Sequence, residues 1–133
     1  MYNLAAQTYQ QTERMAVSPR ELEAILLLKA ARKLQVVKDN WETHRSELDE
    51  ALTFNRRLWT ILSTSATSAE NPLPPEVKQN ITSLALFIFS RTVSLLGASQ
   101  TISPDKLTVL VQINRSLAEG LRQKPAPEAA PAV

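Results

Sequence analysis

The sequence predicts an all-α fold, a single compact bundle of about five helices with short loops and a disordered Pro/Ala-rich C-terminal tail. Three observations carry that reading. Apolar residues recur at i, i+3, i+4 and i+7, as in Leu48, Ala51, Leu52, Asn55, Leu58, Trp59 and Leu62, with Asp49, Thr53, Arg56, Thr60 and Ser63 on the opposite face. Helix-entry signals, "SPRE", "PPE" and "SPDK", stand in front of three such stretches. No segment alternates with period two for long, and the β-prone Phe87–Phe89 lies inside a helix-length pattern.

Taken in order, a first helix is expected over about Tyr2 to Arg14, with Tyr2, Ala5, Ala6 and Tyr9 on one face. It has little apolar bulk and needs a surface to lie against. The next opens at Ser18, with Pro19 in the first turn and Glu21 completing a capping box. It is apolar around much of its circumference near Leu26, Leu27 and Leu28, so it should lie centrally, with Lys29, Arg32, Lys33 and Asp39 facing water. A third begins near Ser46, where Asp49 gives a weaker capping signal, and ends within "STSATSAENPLPP". A fourth follows Pro74 and runs to Gly97 as C-cap. A fifth, capped by Ser103, runs from Asp105 to about Arg122. The bundle domain thus spans 1–122, and "QKPAPEAAPAV" (123–133) is the tail, with too little to bury.

Composition removes several function classes. The chain has 133 residues, two glycines and no cysteine. A phosphate-cradling loop needs several glycines, and a thiolate metal site or disulfide framework needs cysteines. No Asp/Glu spacing forms a calcium loop, the single histidine, His44, sits in a polar link, and no nucleophile has a base and oxyanion donors beside it, so no cofactor, metal or catalytic residue is expected. The stretch 81–98 is long and apolar, but Arg91 interrupts it and several Ser and Thr dilute it; no membrane span is expected, and the start of the chain is not a secretory signal. The net charge of +2 is too small to demand nucleic acid. Lys29, Arg32, Lys33, Arg56 and Arg57 lack the interleaved aromatics of a single-strand stacking platform, so RNA ranks behind other partners.

Two asparagines sit inside apolar stripes. Asn55 lies in "LTFNRRLW" (52–59) and Asn114 in "VQINRSLA" (111–118), each followed by Arg and, three residues on, by Leu. An unpartnered buried amide costs about 1–3 kcal/mol, so each must be satisfied inside the fold or by a partner outside it. Paired core amides that set helix register are the first expectation; amides lining a groove for a partner helix are the second. Trp59 divides in the same way between core and interface.

The segments "YNLAAQTYQQ" (2–11), "SPRELEAILLLKAARKL" (18–34), "LDEALTFNRRLWTIL" (48–62), "NPLPPEVKQNI" (71–81) and "INRSLAEGL" (113–121), in this order, resemble the FlaF family of bacterial flagellar biosynthesis proteins. The resemblance implies a small helical cytoplasmic protein, not an enzyme, that is needed for flagellin production and export and works with flagellin and with or against the FlbT regulators of flagellin translation. The matching positions of distinctive polar or aromatic character, Asn55, Arg56, Trp59, Asn80, Asn114 and Arg115, are the candidate partner-binding residues. Two functions follow as expectations. One is an export chaperone that holds the amphipathic terminal helices of flagellin in an apolar groove. The alternative is a post-transcriptional regulator acting through RNA or an RNA-binding FlbT-like partner.

Overall fold

The computed structural model describes residues 18–98 and 101–123. The helix expected over about 2–14 lies outside them, as does the expected tail apart from Gln123. The fold is all-helical: among the described residues four long helices share one core, α1 (Pro19–Asp39), α2 (Leu48–Ala66), α3 (Pro75–Gly97) and α4 (Thr108–Arg122).

Local chemistry sets most of the boundaries. Ser18 takes extended backbone (φ −68°, ψ 158°), and its Oγ accepts from the Glu21 amide at 3.1 Å, so α1 starts where its capping box places it. Ser18→Ala is expected to cost about 0.5–2 kcal/mol in urea unfolding. At the far end the Asn40 side chain donates to the Val36 carbonyl at 2.9 Å and closes α1. α3 begins at Pro75, with Pro74 extended before it and Glu76 in the first turn. The connection ahead of it is held by Asn71, which donates to the Ser65 carbonyl at 3.1 Å and accepts from the Leu73 amide at 2.9 Å.

Three boundaries differ from expectation. Ser46 caps nothing: α2 starts at Leu48 behind a helical turn, Trp41–His44, and a 3-10 turn, Arg45–Glu47. With the Arg45 guanidinium 5.2 Å from the centre of the Trp41 ring, the link is wound up, and a residue inside a 3-10 turn lacks the extended backbone a cap needs. His44 therefore lies on a helical link rather than a loop. Ser103 does accept from the Asp105 amide, at 3.4 Å, but Pro104–Leu107 winds as 3-10 helix before α4 proper. Gly97 is the last helical residue of α3, and the cap is Ala98 at φ −119°, so no left-handed glycine ends this helix.

Packing follows from the stripes. Lys33 faces Glu50 at 3.7 Å, whereas Leu26 shares a groove with Leu58 and Ile61, so α1 and α2 run antiparallel. α1 packs against both α2 and α4, the central position its wide apolar surface calls for, and α3 leans on the other side of α2. The largest fully buried side chains are Trp59, Leu27, Leu34, Leu52, Ile88 and Leu107. α3 is long and apolar enough to cross a membrane by length and composition; here Ile81, Ala85, Ile88, Thr92 and Leu95 form its buried side, while Leu86 and Val93 stand 65% and 68% exposed.

One carboxyl feels the burial. Glu23 on α1 is partly covered, which pushes its pKa above the ordinary 4.5, with Arg20 opposing the shift. The folded state therefore binds this proton more readily than the unfolded chain. Its contribution to stability is present on the acid side and falls as pH rises from 4.5 through the folded-state pKa. Glu23→Gln is expected to remove that slope, seen as a flatter Tm profile on the alkaline side of pH 4.5.

Candidate functional site

The two asparagines meet in the centre of the bundle. Asn55 on α2 and Asn114 on α4 are both fully buried, and the Asn114 Nδ2 donates to Asn55 Oδ1 at 2.7 Å. Trp59, one turn beyond Asn55 and equally buried, donates its indole Nε1 to Asn114 Oδ1 at 2.9 Å. The second Nδ2 hydrogen of Asn114 reaches the Leu27 carbonyl of α1 at 3.4 Å. The direction of the chain of bonds is chemically determined. An indole N–H can only donate, so Asn114 must turn its oxygen to Trp59 and its amide to Asn55, which must then present its own oxygen. Three helices are thereby tied at one level. The cost sits at the end of the chain, where Asn55 Nδ2 is buried without a partner.

The six candidate residues consequently do not form one surface. Asn55, Trp59 and Asn114 make the internal network and offer no atom to the outside. Arg56 is half-buried on the other side of α2, and its carbonyl accepts from Thr60. Asn80 is exposed on the rim of a groove of about 380 Å³ between α3 and α4, with Val77, Leu84, Val109 and Ile113 beside it. Arg115 is exposed on α4 beside Leu28, Glu119 and Arg122.

A more apolar opening lies elsewhere. A groove of about 620 Å³ runs along α1 and α2, with Leu26, Phe54, Leu58 and Ile61 as its floor and Asp49 and Arg57 on its rim. Ile61 is 66% exposed. Lys29 and Lys33 cover one part of Phe54, with their ammonium groups 5.6 and 5.1 Å from its ring centre. Two of the cations considered for phosphate binding are thus engaged with an aromatic ring, and Lys33 also pairs with Glu50. Phe54 and Ile61 lie off the stripe that identified the core face, and large apolar residues on the side of a helix assigned to water were the available signal.

Among the described residues, no group of three or more His, Cys, Asp or Glu side chains is placed to hold a metal ion. The described residues form a small helical bundle with apolar grooves and one charged groove on its surface, tied inside by a buried amide–indole network. A family model, flagellar protein FlaF, matches residues 5–121, and the chain belongs to the FlaF family of flagellar proteins. No curated protein and no solved structure matches the chain.

Proposed function

We propose that this flagellar protein binds flagellin in the cytoplasm and supports its production and export in the manner of a secretion chaperone. The observation that carries the reading is the apolar groove of α1 and α2, floored by Leu26, Phe54, Leu58 and Ile61 and rimmed by charge of both signs. An amphipathic helix lays its apolar face into such a groove and keeps its polar face in water. The terminal segments of flagellin are the client of that chemistry, sticky until they assemble. Grooves of this kind exclude water on contact, so binding carries a negative heat-capacity change and survives added salt.

Calorimetry with the cognate flagellin at low and high salt tests this. Salt-resistant binding with a negative heat-capacity change is the expected result. Absence of binding at either salt would overturn it and turn attention to the translational regulator, whose contact with RNA through Arg32, Arg56 and Arg57 would weaken steeply as salt is raised. The basic face is the poorer candidate because Glu47 and Glu50 line the same groove as Lys29, Arg32 and Lys33.

A further inference from the structure

We infer that the exposed face of α3 pairs with the same face of a second copy of this chain, antiparallel, about a two-fold axis at the level of Arg91 and Thr92. Among the described residues five large apolar side chains stand exposed, and α3 carries three of them, Leu86, Phe87 and Val93. Leu86 and Val93 belong to a stripe of exposed positions, Ser83, Leu86, Ser90, Val93 and Gly97, separated by alternating steps of three and four residues. By that spacing one helix keeps a seam against another. A helix face left to water ordinarily carries charge, and this stripe carries none. The only charged residue of α3 beyond Lys78 is Arg91, half-buried, with its guanidinium 5.3 Å from the centre of the Phe87 ring.

Gly97 points to what covers the stripe. A glycine inside a helix weakens it and needs a reason. Nothing within the fold gives one: Gly97 does not take a positive φ, and beyond its own helix backbone a Cβ there would meet no atom within 4 Å. The reason appears when a second copy is laid against α3. Pairing about the stated axis sets Leu86 over the partner's Gly97 and Val93 over the partner's Ser90. Each large residue then faces a small one, and the two backbones can approach closely. Knob and hole lie on one face of one helix, which is what a self-complementary interface requires.

The missing charge favours the same occupant. An uncharged face does not repel its own copy and offers nothing to steer a partner of different charge pattern. A lipid surface would meet the hydroxyls of Ser83 and Ser90, and a helix crossing it would be stripped of the core contacts of Ile81, Ala85, Ile88 and Leu95. One face of one helix lies at the low end of interface size, under about 1,200 Å² in total, so the dimer forms as concentration rises. The α1–α2 groove takes no residue from α3, so pairing leaves it open and is independent of the flagellin reading.

Sedimentation velocity of the full chain from ~5 μM to ~500 μM tests the pairing. The expected result is a reversible dimer that Gly97→Leu weakens ~10-fold or more by filling the hole under the partner's Leu86. The Tm of that variant in dilute solution should hold or rise, because leucine is the better helix former and has open space there. Exchanging the two residues, Leu86→Ala together with Gly97→Leu, should recover most of the lost affinity, since knob and hole trade places. Val93→Asp, at a position 68% exposed, should abolish the dimer without unfolding the chain. A monomer over the whole range, a dimer indifferent to Gly97→Leu or to Val93→Asp, or a double variant as weak as Gly97→Leu alone would each overturn the pairing. So would a chain that stays monomeric and floats with phosphatidylglycerol vesicles, which would give the face to a membrane.

Discussion

Asn114→Leu is expected to destabilise the protein by about 3–4 kcal/mol, whereas Asn55→Leu, the same change in the same network, should stay within about 1 kcal/mol of the parent. The difference comes from position in the chain of bonds. Asn114 is the node: its oxygen takes the Trp59 indole N–H at 2.9 Å, and its amide serves Asn55 at 2.7 Å and the Leu27 carbonyl at 3.4 Å. Leucine there orphans the indole N–H and the Asn55 oxygen together, both out of reach of water, at about 1–3 kcal/mol each. Asn55 is the end of the chain and already carries a buried amide without a partner. Replacing it removes one bond and one standing penalty, and Asn114 keeps its contact with Leu27. Urea unfolding of the two single variants and the double variant measures this. In the Asn114→Leu background, Asn55→Leu should become stabilising, because it removes an orphaned acceptor. Equal losses in the two single variants would mean that the network is not organised around Asn114.

That network shows how far the residues themselves disclosed the arrangement. The pairing of Asn55 with Asn114 was legible because each amide stands at the centre of a stripe whose period is that of a helix, and a buried amide needs a partner. The part played by Trp59 was not. An indole on an apolar stripe packs equally well with or without a partner for its N–H, and nothing in spacing reveals where α4 will present an oxygen. The start of α2 failed for a related reason. Ser46 followed by Asp49 has the composition of a cap, but capping depends on the backbone of the serine, and that is decided upstream by Asn40 closing α1 and by the helical turn at Trp41. Ser18 and Pro74 enter their helices from extended backbone, and there the expected starts held.

The groove was the least legible feature. Core positions announce themselves by period, whereas a groove arises from how far two helices stand apart and which off-stripe side chains flank the gap. Arg56, Asn80 and Arg115 were singled out by character, and they lie on different parts of the surface. Phe54, Leu58 and Ile61 share one side of α2 at i, i+4 and i+7, and Leu26 of α1 lines the groove beside them. A residue such as Leu26 can serve the core and the groove wall together, since it is half-buried and packed against the core cluster.

Ile61→Asp is expected to weaken flagellin binding at least ~10-fold, about 1.4 kcal/mol, while leaving unfolding free energy within about 0.5 kcal/mol. Ile61 is 66% exposed, so the folded chain loses little by exchanging it, yet it is the largest open apolar surface on the groove floor. A client helix seated there would have to bury the new carboxylate against its apolar face, and Asp49 and Glu50 on the same groove already supply negative charge. The matched control is Val93→Asp on α3. Val93 is as exposed, at 68%, and as apolar, but it stands on a helix that contributes nothing to this groove. If flagellin is held between α1 and α2, only the first substitution changes affinity. If the second does so and the first does not, the client lies on the outer face of α3, where Leu86 and Phe87 stand exposed beside Val93, and the groove of α1 and α2 is left to another occupant. The comparison separates the two apolar surfaces with substitutions of the same chemistry and nearly the same exposure, so a loss at one cannot be ascribed to added charge or to general destabilisation.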